Sequence, residues 1–452
     1  MPLTPTEPKK RFSVVVIGGG IGGLAAAIGL RLSGQTVTVI ELREKYLGQT
    51  GGARQGLNQT ANSYTCLYAL GLEEPFHKFA DNGDHIKMRR YSDGTVIKAI
   101  HKKKRYSKLH REDLLRILYE RAVEVGVEII TNETFESIED TQQHVRVQLQ
   151  SGRTLQPDLV VGADGVHSKV RKSIPSTKDI TASPTGDCVF LVNVPKSVMA
   201  KQPSTAALYK SGEDPFHFTV GPGRCIVSWT ITIRELYHLQ ICDFQYGDGK
   251  AYGLAEKDDS PLVSTFTDMP ALRKRWGDFD EAIRTLLDET DVCTKWRIAE
   301  TPLDMPWCSP TSRIVLIGDA AHTFEPFAGQ GASMAIEDAT VLSCLIARAS
   351  QDPSLTLADV ATAYESLRRP RVDAIRAMVK ANAAIFGLAD GEKQAERDRN
   401  IGGEGFSVGG EGREEKGAYQ GTAKWSTEEA YEFTEGYDAV KEADGYVFGR
   451  EG

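Results

Sequence analysis

One stretch, residues 11–41, limits what this chain can fold into more than any other. Residues 12–17 are apolar and mostly β-branched, the composition of a strand buried on both faces in a parallel sheet. Gly18-Gly19-Gly20-Ile21-Gly22-Gly23 follows at once. Residues 24–32 are rich in Ala and Leu and read as a helix, and residues 37–40 are a second apolar strand with Glu41 at its end. Strand, G-x-G-x-x-G, helix and acid in this order are the fingerprint of a dinucleotide-binding βαβ unit. Gly18 permits the tight turn, Gly20 lets backbone approach a pyrophosphate, and Gly23 lets the helix pack against the strand. The helix N-terminus offers unpaired N–H groups and a partial positive charge to phosphate. Glu41 can accept hydrogen bonds from ribose hydroxyls. The ligand therefore carries an ADP moiety, and the fingerprint alone leaves NAD and FAD both open.

The length of 452 residues suits two or three structural units. A net charge of -8 speaks against nucleic acid as a partner. The one basic run, His101 to Arg105, is expected as a solvated hairpin turn. Seven cysteines without a C-x-x-C pair point to free thiols in a reducing compartment and to no metal site. The first ten residues lack an apolar core, and no segment holds eighteen uninterrupted apolar residues. The expectation is a cytoplasmic protein with no membrane segment.

Further along, residues 42–56 form a Gly-rich polar connection containing Arg54, free to lie against a planar ligand. Residues 62–70 read as a helix closed by Gly71, residues 87–100 as a hairpin around Asp93-Gly94, and residues 110–125 as a helix. Arg111 sits in that helix's first turn, the wrong end for a cation. It is either an ordinary surface arginine or has an anionic or polar partner outside the helix. Residues 159–162 are a buried strand running into Ala163-Asp164-Gly165. Asp164 thus stands at a strand's C-terminal end, where open sheets bind ligands, although turn aspartates also bond locally. Residues 188–194, 206–209, 216–220 and 225–233 alternate like antiparallel strands, and residues 237–264 read as a mobile loop. Residues 313–319 are another buried strand, ending in Gly318-Asp319. A loop follows, and residues 332–349 form a long helix whose N-terminus points at whatever the loop holds. Residues 357–386 are helical with an interruption near Pro370. Residues 402–421 lack apolar periodicity and read as extended or disordered. The expected units are residues 1–180 and 301–386 for the nucleotide domain, 181–300 for a sheet domain, and 387–452 for a partly irregular extension.

Three motifs stand in order: GGGIGG, GADG-x-x-S-x-V-R and GDAAH-x-x-x-P-x-x-GQG. Together they resemble the single-component (class A) FAD-dependent aromatic monooxygenases, which include salicylate and p-hydroxybenzoate hydroxylases, over residues 12–386. Trp425 and Gly436-Tyr437-Asp438 resemble the tail of salicylate-hydroxylase-like members, many of them fungal. The resemblance implies an α/β fold: a Rossmann-type FAD-binding domain, an inserted antiparallel β-sheet substrate domain and a C-terminal helical region. It implies FAD as cofactor, NADPH or NADH as transient co-substrate, O₂, a small aromatic substrate, and a monomer or homodimer. In that family a flavin C4a-hydroperoxide delivers one oxygen atom to an electron-rich ring of phenol, anthranilate or indole type. Epoxidation or Baeyer–Villiger oxidation by the same intermediate, and FAD-linked dehydrogenation without oxygen insertion, are the alternatives.

Carried onto this chain, the family pattern gives Glu41 to ribose and Arg54 to a backbone contact with FAD. Arg111 goes to the ribityl and phosphate region, and Asp164 to the pyrophosphate and nicotinamide handling. Asp319 goes to the ribityl chain, and Gly331 and Ala332 to the flavin pyrimidine edge. The positive end of the long helix would stabilise the negative charge of reduced flavin. Two positions depart from the pattern. Where salicylate-hydroxylase-like members carry an arginine and a tyrosine, this chain has Leu191 and Gly221. Nothing there clamps a carboxylated phenol, so the substrate is expected to be intrinsically nucleophilic or held by other groups. His217 and Pro326, the proline of the third motif, are the candidate substrate-facing residues. His217 also reads as an ordinary sheet histidine.

Overall fold

Val14, Val15 and Val16 are at most 3% exposed, which requires cover on both faces of the strand that carries them. The computed structural model, which describes residues 7–45, 55–209, 216–254, 256–257, 259–400 and 428–449, supplies that cover. Strand Ser13–Ile17 lies at the centre of a five-stranded sheet in the order Ile314–Leu316, Leu159–Gly162, Ser13–Ile17, Thr36–Ile40, Glu128–Ile130. All its pairings are parallel. Helices Ile21–Leu32 and Gly331–Gln351 pack along each other beside this sheet. Gly29 makes the close approach possible, because a Cβ there would lie 2.4 Å from Ser343 Oγ. Fifteen residues of Gly331–Gln351 are buried, so this helix is enclosed nearly all round and not merely along one stripe.

A second sheet has nine strands, and its centre is Ser183–Pro195, Leu236–Asp243, Arg224–Ile231 and Phe216–Gly221. Cys293–Glu300 and Val263–Phe266 extend it on one side. Asp81–Arg90, Val96–His110 and Gly56–Gln59 extend it on the other. The sheet is thus assembled from two stretches of chain far apart in sequence. Its one parallel pairing, between Phe216–Gly221 and Asp81–Arg90, marks where they join. A small three-stranded sheet, Phe135–Asp140, Val145–Leu149 and Thr154–Leu155, stands apart.

Several local expectations are corrected. Residues 206–209 are not a strand: Pro203 opens the short helix Pro203–Ala206, where its fixed φ suits the first position. Residues 237–264 do not begin as a loop, since Leu236–Asp243 is an interior strand. The run 101–105 lies within strand Val96–His110 and is not a turn; the hairpin turns at Asp93-Gly94, as expected, with Gly94 at φ +70°. Helix Leu357–Phe386 passes through Pro370 unbroken. The arginines beside the proline are all anchored: Arg368 and Arg371 to Glu337, Arg369 to the Leu303 carbonyl. Residues 402–421, Arg54 and Trp425 lie outside the described residues.

Candidate functional site

The turn after Ser13–Ile17 has no room for side chains. Gly18 adopts φ +102°, and a Cβ on Gly23 would fall 1.9 Å from the Gly18 carbonyl oxygen. Gly20 is different: a Cβ there would meet nothing within 4 Å. It opens onto a cleft of ≈ 720 Å³. One wall of the cleft is built from the turns that follow the parallel strands, among them Ala163, Gly165, Gly318 and Asp319. The opposite wall is one face of the nine-stranded sheet, where alternate residues such as Phe216 and Phe218, and Cys225, Val227 and Trp229, look inward.

Two helices begin at this cleft, at Ile21 and at Gly331, and neither has a side-chain cap or an acid in its first turn. Their free N–H groups and positive ends are unneutralised by protein. Gly331 and Ala332 lie in the wall, as does Pro326, whose carbonyl accepts from the Gly329 N–H at 2.8 Å. Asp319 is enclosed by protein yet open to the cleft. Burial raises its pKa, against the opposing charges of His322, Arg111 and Arg171. Its carboxylate accepts no hydrogen bond from the described residues. Arg111 also lines the cleft, with its backbone N–H on the Gln55 carbonyl at 2.9 Å. Burial and the Arg43 charge lower its pKa, while Asp319 and Glu41 oppose them. Among the described residues its guanidinium has no hydrogen-bonding partner.

Glu41 lies beside the glycine turn. Its Oε2 accepts from the Gly19 N–H at 2.7 Å, and its Oε1 from the Arg43 N–H at 2.9 Å and Nε at 2.7 Å. Burial alone would raise this carboxyl, but Arg43 and the Gly19 N–H hold it below its ordinary value. Asp164 does not reach the cleft wall. Its carboxylate accepts from Ser168 Oγ at 2.5 Å and from the N–H groups of Lys169 and Val170 at 2.7 and 3.1 Å. It fixes the turn that places Gly165 in the wall. His217 is turned away as well: its neighbours Phe216 and Phe218 face the cleft, and strand alternation sends His217 to the other side. Burial, with Arg89, Lys87, Lys108 and His85 around it, pushes its pKa down to about 3. Leu191 is in the cleft wall; Gly221 is not, and a Cβ there would strike the Tyr91 ring at 2.7 Å.

Two features escaped the sequence reading. The first is a buried ionic cluster. Glu337 accepts from Arg368 Nη1 at 2.6 Å, Arg371 Nη2 at 2.8 Å and Asn62 Nδ2 at 2.7 Å. Asp338 accepts from Arg368 Nε at 2.7 Å and from the Gly318 N–H at 2.9 Å, and pairs with His322 Nε2 at 2.6 Å. Burial works against both carboxylates, yet these cations hold both below their usual range, Asp338 at about 2. Adjacent acids inside an Ala- and Leu-rich helix were the available signal. The cluster fixes Gly318 directly, and Gln330 through Asn62 at 2.9 Å, so both turns that shape the cleft are tied to it. The second is the grip of His238 and Gln240 on the Gly56 backbone at the sheet end of the cleft.

The cradle suits a dinucleotide bearing a flavin: an open glycine turn, two uncapped helix ends, an unpartnered carboxylate and a flat apolar wall. Residues 11–247 and 284–378 match the family described as FAD binding domain. This chain belongs to that family. The chain is 27% identical over 449 residues to the FAD-dependent monooxygenase OpS4 of Beauveria bassiana, covering 97% of this chain and 98% of that one. It is 30% identical over 398 residues to 3-amino-4-hydroxybenzoate 2-monooxygenase of Streptomyces cremeus, covering 86% and 91%. A salicylate hydroxylase solved with substrate shares the fold, with TM-score 0.76 at 20% identity over 98% of this chain and all of that one. The FAD-dependent, class A aromatic monooxygenase expected from the motifs is what this chain is. Among the described residues no helix is long and apolar enough to cross a membrane.

Proposed function

We propose that this enzyme uses NADH or NADPH and O₂ to hydroxylate a neutral, electron-rich aromatic or heteroaromatic ring of phenol or indole type. The observation that carries the reading is the charge of the cleft wall. Arg111 is its sole Lys, Arg or His among the described residues, and it stands near Glu41 and Asp319, at the nucleotide end. The rest of the wall includes Leu191, Phe216, Phe218, Val227, Phe327 and Phe386, and its polar members such as Gln240, Thr294 and Asn382 are neutral apart from carboxylates. A carboxylate substrate would leave water without a counter-charge, at a cost of several kcal/mol. Glu325, in the wall beside Pro326, adds the wrong charge for an anion; burial and then Glu300 raise its pKa.

Bound FAD would supply the redox chemistry, hydride acceptance from the nicotinamide and O₂ activation, with one oxygen atom passing to the ring and the other leaving as water. The chain's own part is holding and shielding. The turn at Gly18, Gly20 and Gly23, with the helix start at Ile21, would hold the pyrophosphate. Glu41 would hold the adenosine ribose, and Asp319 and Arg111 the ribityl and phosphate groups. The Gly331–Ala332 end would favour negative charge on the ring system. The apolar wall excludes water from the reacting carbon.

The test is a panel of neutral phenols and indoles against hydroxybenzoates. NAD(P)H consumption and product label from isotopic O₂ are measured together. Neutral compounds should stimulate consumption and carry the label. Stimulation by benzoates alone, or unlabelled product, would overturn the reading.

A further inference from the structure

The Gly436-Tyr437-Asp438 motif lies beyond the family-matched residues, and the two residues just before it line the cleft. Helix Glu428–Glu435 packs on helix Ala61–Ala69 and ends with Thr434 and Glu435 in the cleft wall, which Gly331 also lines. Arg371 fastens this end, donating to the carbonyl of Thr434 at 2.9 Å and to that of Phe433. The same guanidinium is held by Glu337 at 2.8 Å. The Tyr437 ring closes over it, 4.2 Å from the Arg371 guanidinium carbon, and lies 5.5 Å from that of Arg368. Gly436 is required at the bend, since a Cβ there would meet the Glu432 carbonyl oxygen at 2.5 Å. Asp438 then caps helix Ala439–Gly445, which packs against Gly331–Gln351, with Ala439 and Ala443 fully buried.

We infer that this turn is a clasp for the FAD site, with Tyr437 a positioning residue that acts through Arg371. An arginine between a buried carboxylate and a tyrosine face is desolvated on both sides, where cation–π attraction is strongest. Two of its remaining donors go to the carbonyls of Phe433 and Thr434, which set Thr434 and Glu435 in the wall. Loss of the ring re-exposes Arg371 and frees the helix end. The part of the cleft wall that Thr434 and Glu435 form then loosens. The inference rests on the cleft being the FAD site, and it concerns only the difference between variants.

The experiment titrates full-length apoprotein with FAD, following flavin fluorescence, for wild type and for the Tyr437→Leu, Tyr437→Phe and Arg348→Ala variants. Arg348→Ala loosens the far end of the tail, where Arg348 holds the Ala443 carbonyl at 2.7 Å. Tyr437→Leu should weaken FAD about tenfold or more, and Tyr437→Phe, which keeps the ring, should bind like wild type. Arg348→Ala should lower the unfolding temperature without changing FAD affinity. Wild-type affinity in a folded Tyr437→Leu, or equal weakening in Arg348→Ala, would overturn the clasp. Should Tyr437→Leu fail to fold, Glu435→Ala decides: it cuts the wall itself and must weaken FAD likewise, and unchanged affinity overturns the inference. Wild type that binds no FAD would instead refute the cleft assignment.

Discussion

The Gly56 N–H donates to His238 Nε2 at 3.1 Å, across 182 residues of sequence. With Nε2 accepting, the ring proton is on Nδ1, which donates to Asn193 Oδ1 at 2.6 Å. Gln240 Nε2 donates to the Gly56 carbonyl at 3.3 Å. The edge strand is thereby joined to an interior strand of the same sheet, and the curl closes over one end of the cleft. His238→Leu should cost about 1–3 kcal/mol, the penalty for a buried N–H left without an acceptor. His238→Gln, whose Oε1 accepts, should recover most of it. Urea unfolding measures the stability, and peroxide released per NAD(P)H measures the seal, which should leak more in His238→Leu. A Leu variant as stable and as tightly coupled as wild type would contradict this role.

Acid should destabilise the fold through two histidines. Burial first, and then cationic neighbours, push His217 to about 3; burial and the His110 charge push His238 to about 3. The unfolded chain titrates both near 6.5. Above that pH neither state binds the proton, and these groups leave stability unchanged. Between 6.5 and 3 only the unfolded chain binds it. Stability then falls as pH drops, approaching about 1.4 kcal/mol per unit for each histidine. Urea midpoints measured from pH 7.5 to pH 5 should show the decline, and His217→Leu should make it shallower by one proton. An unchanged slope in that variant would refute the assignment.

Two glycines of one turn should fail in different ways. Gly23→Ala places a methyl 1.9 Å from the Gly18 carbonyl, between two backbone segments that cannot yield. The fold itself should suffer, with a lower unfolding temperature in the apoprotein. Gly20→Ala meets nothing within 4 Å, so the apoprotein should unfold like wild type. Its methyl would occupy the space through which a pyrophosphate approaches, and FAD affinity should fall about tenfold or more. Calorimetry of apoprotein and FAD titration separate the two outcomes.

How much of this was legible in the sequence follows from how local each cause is. Residues 12–41, 159–165 and 313–319 carry their own evidence, because buried parallel strands and glycine turns are short-range patterns. Leu236–Asp243 was unreadable as a strand because His238 and Gln240 are polar for the sake of Gly56, far away in sequence. The inward face of Phe216–Gly221 could not be chosen from alternation, since both of its faces are buried. Pro370 reads as a break, and only the pairing of Arg368 and Arg371 with Glu337 shows why the helix continues.

Leu191 is 3% exposed, lies in the sheet wall of the cleft, and pairs in register with Gln240 and Thr294. Leu191→Arg would put a guanidinium into the sheet wall, which among the described residues carries no cationic side chain. Without ligand the buried charge is unpaired, and the unfolding temperature should fall. A carboxylate that pairs with it should reverse the loss, because a ligand that binds only the folded state stabilises it. A hydroxybenzoate should therefore raise the unfolding temperature of Leu191→Arg and leave wild type unmoved. Turnover of the same compound should rise about tenfold or more relative to wild type, the equivalent of ~1.4 kcal/mol. Equal stabilisation of both proteins by the benzoate would mean that the wild-type cleft already holds a carboxylate, and the neutral-substrate reading would fail with it.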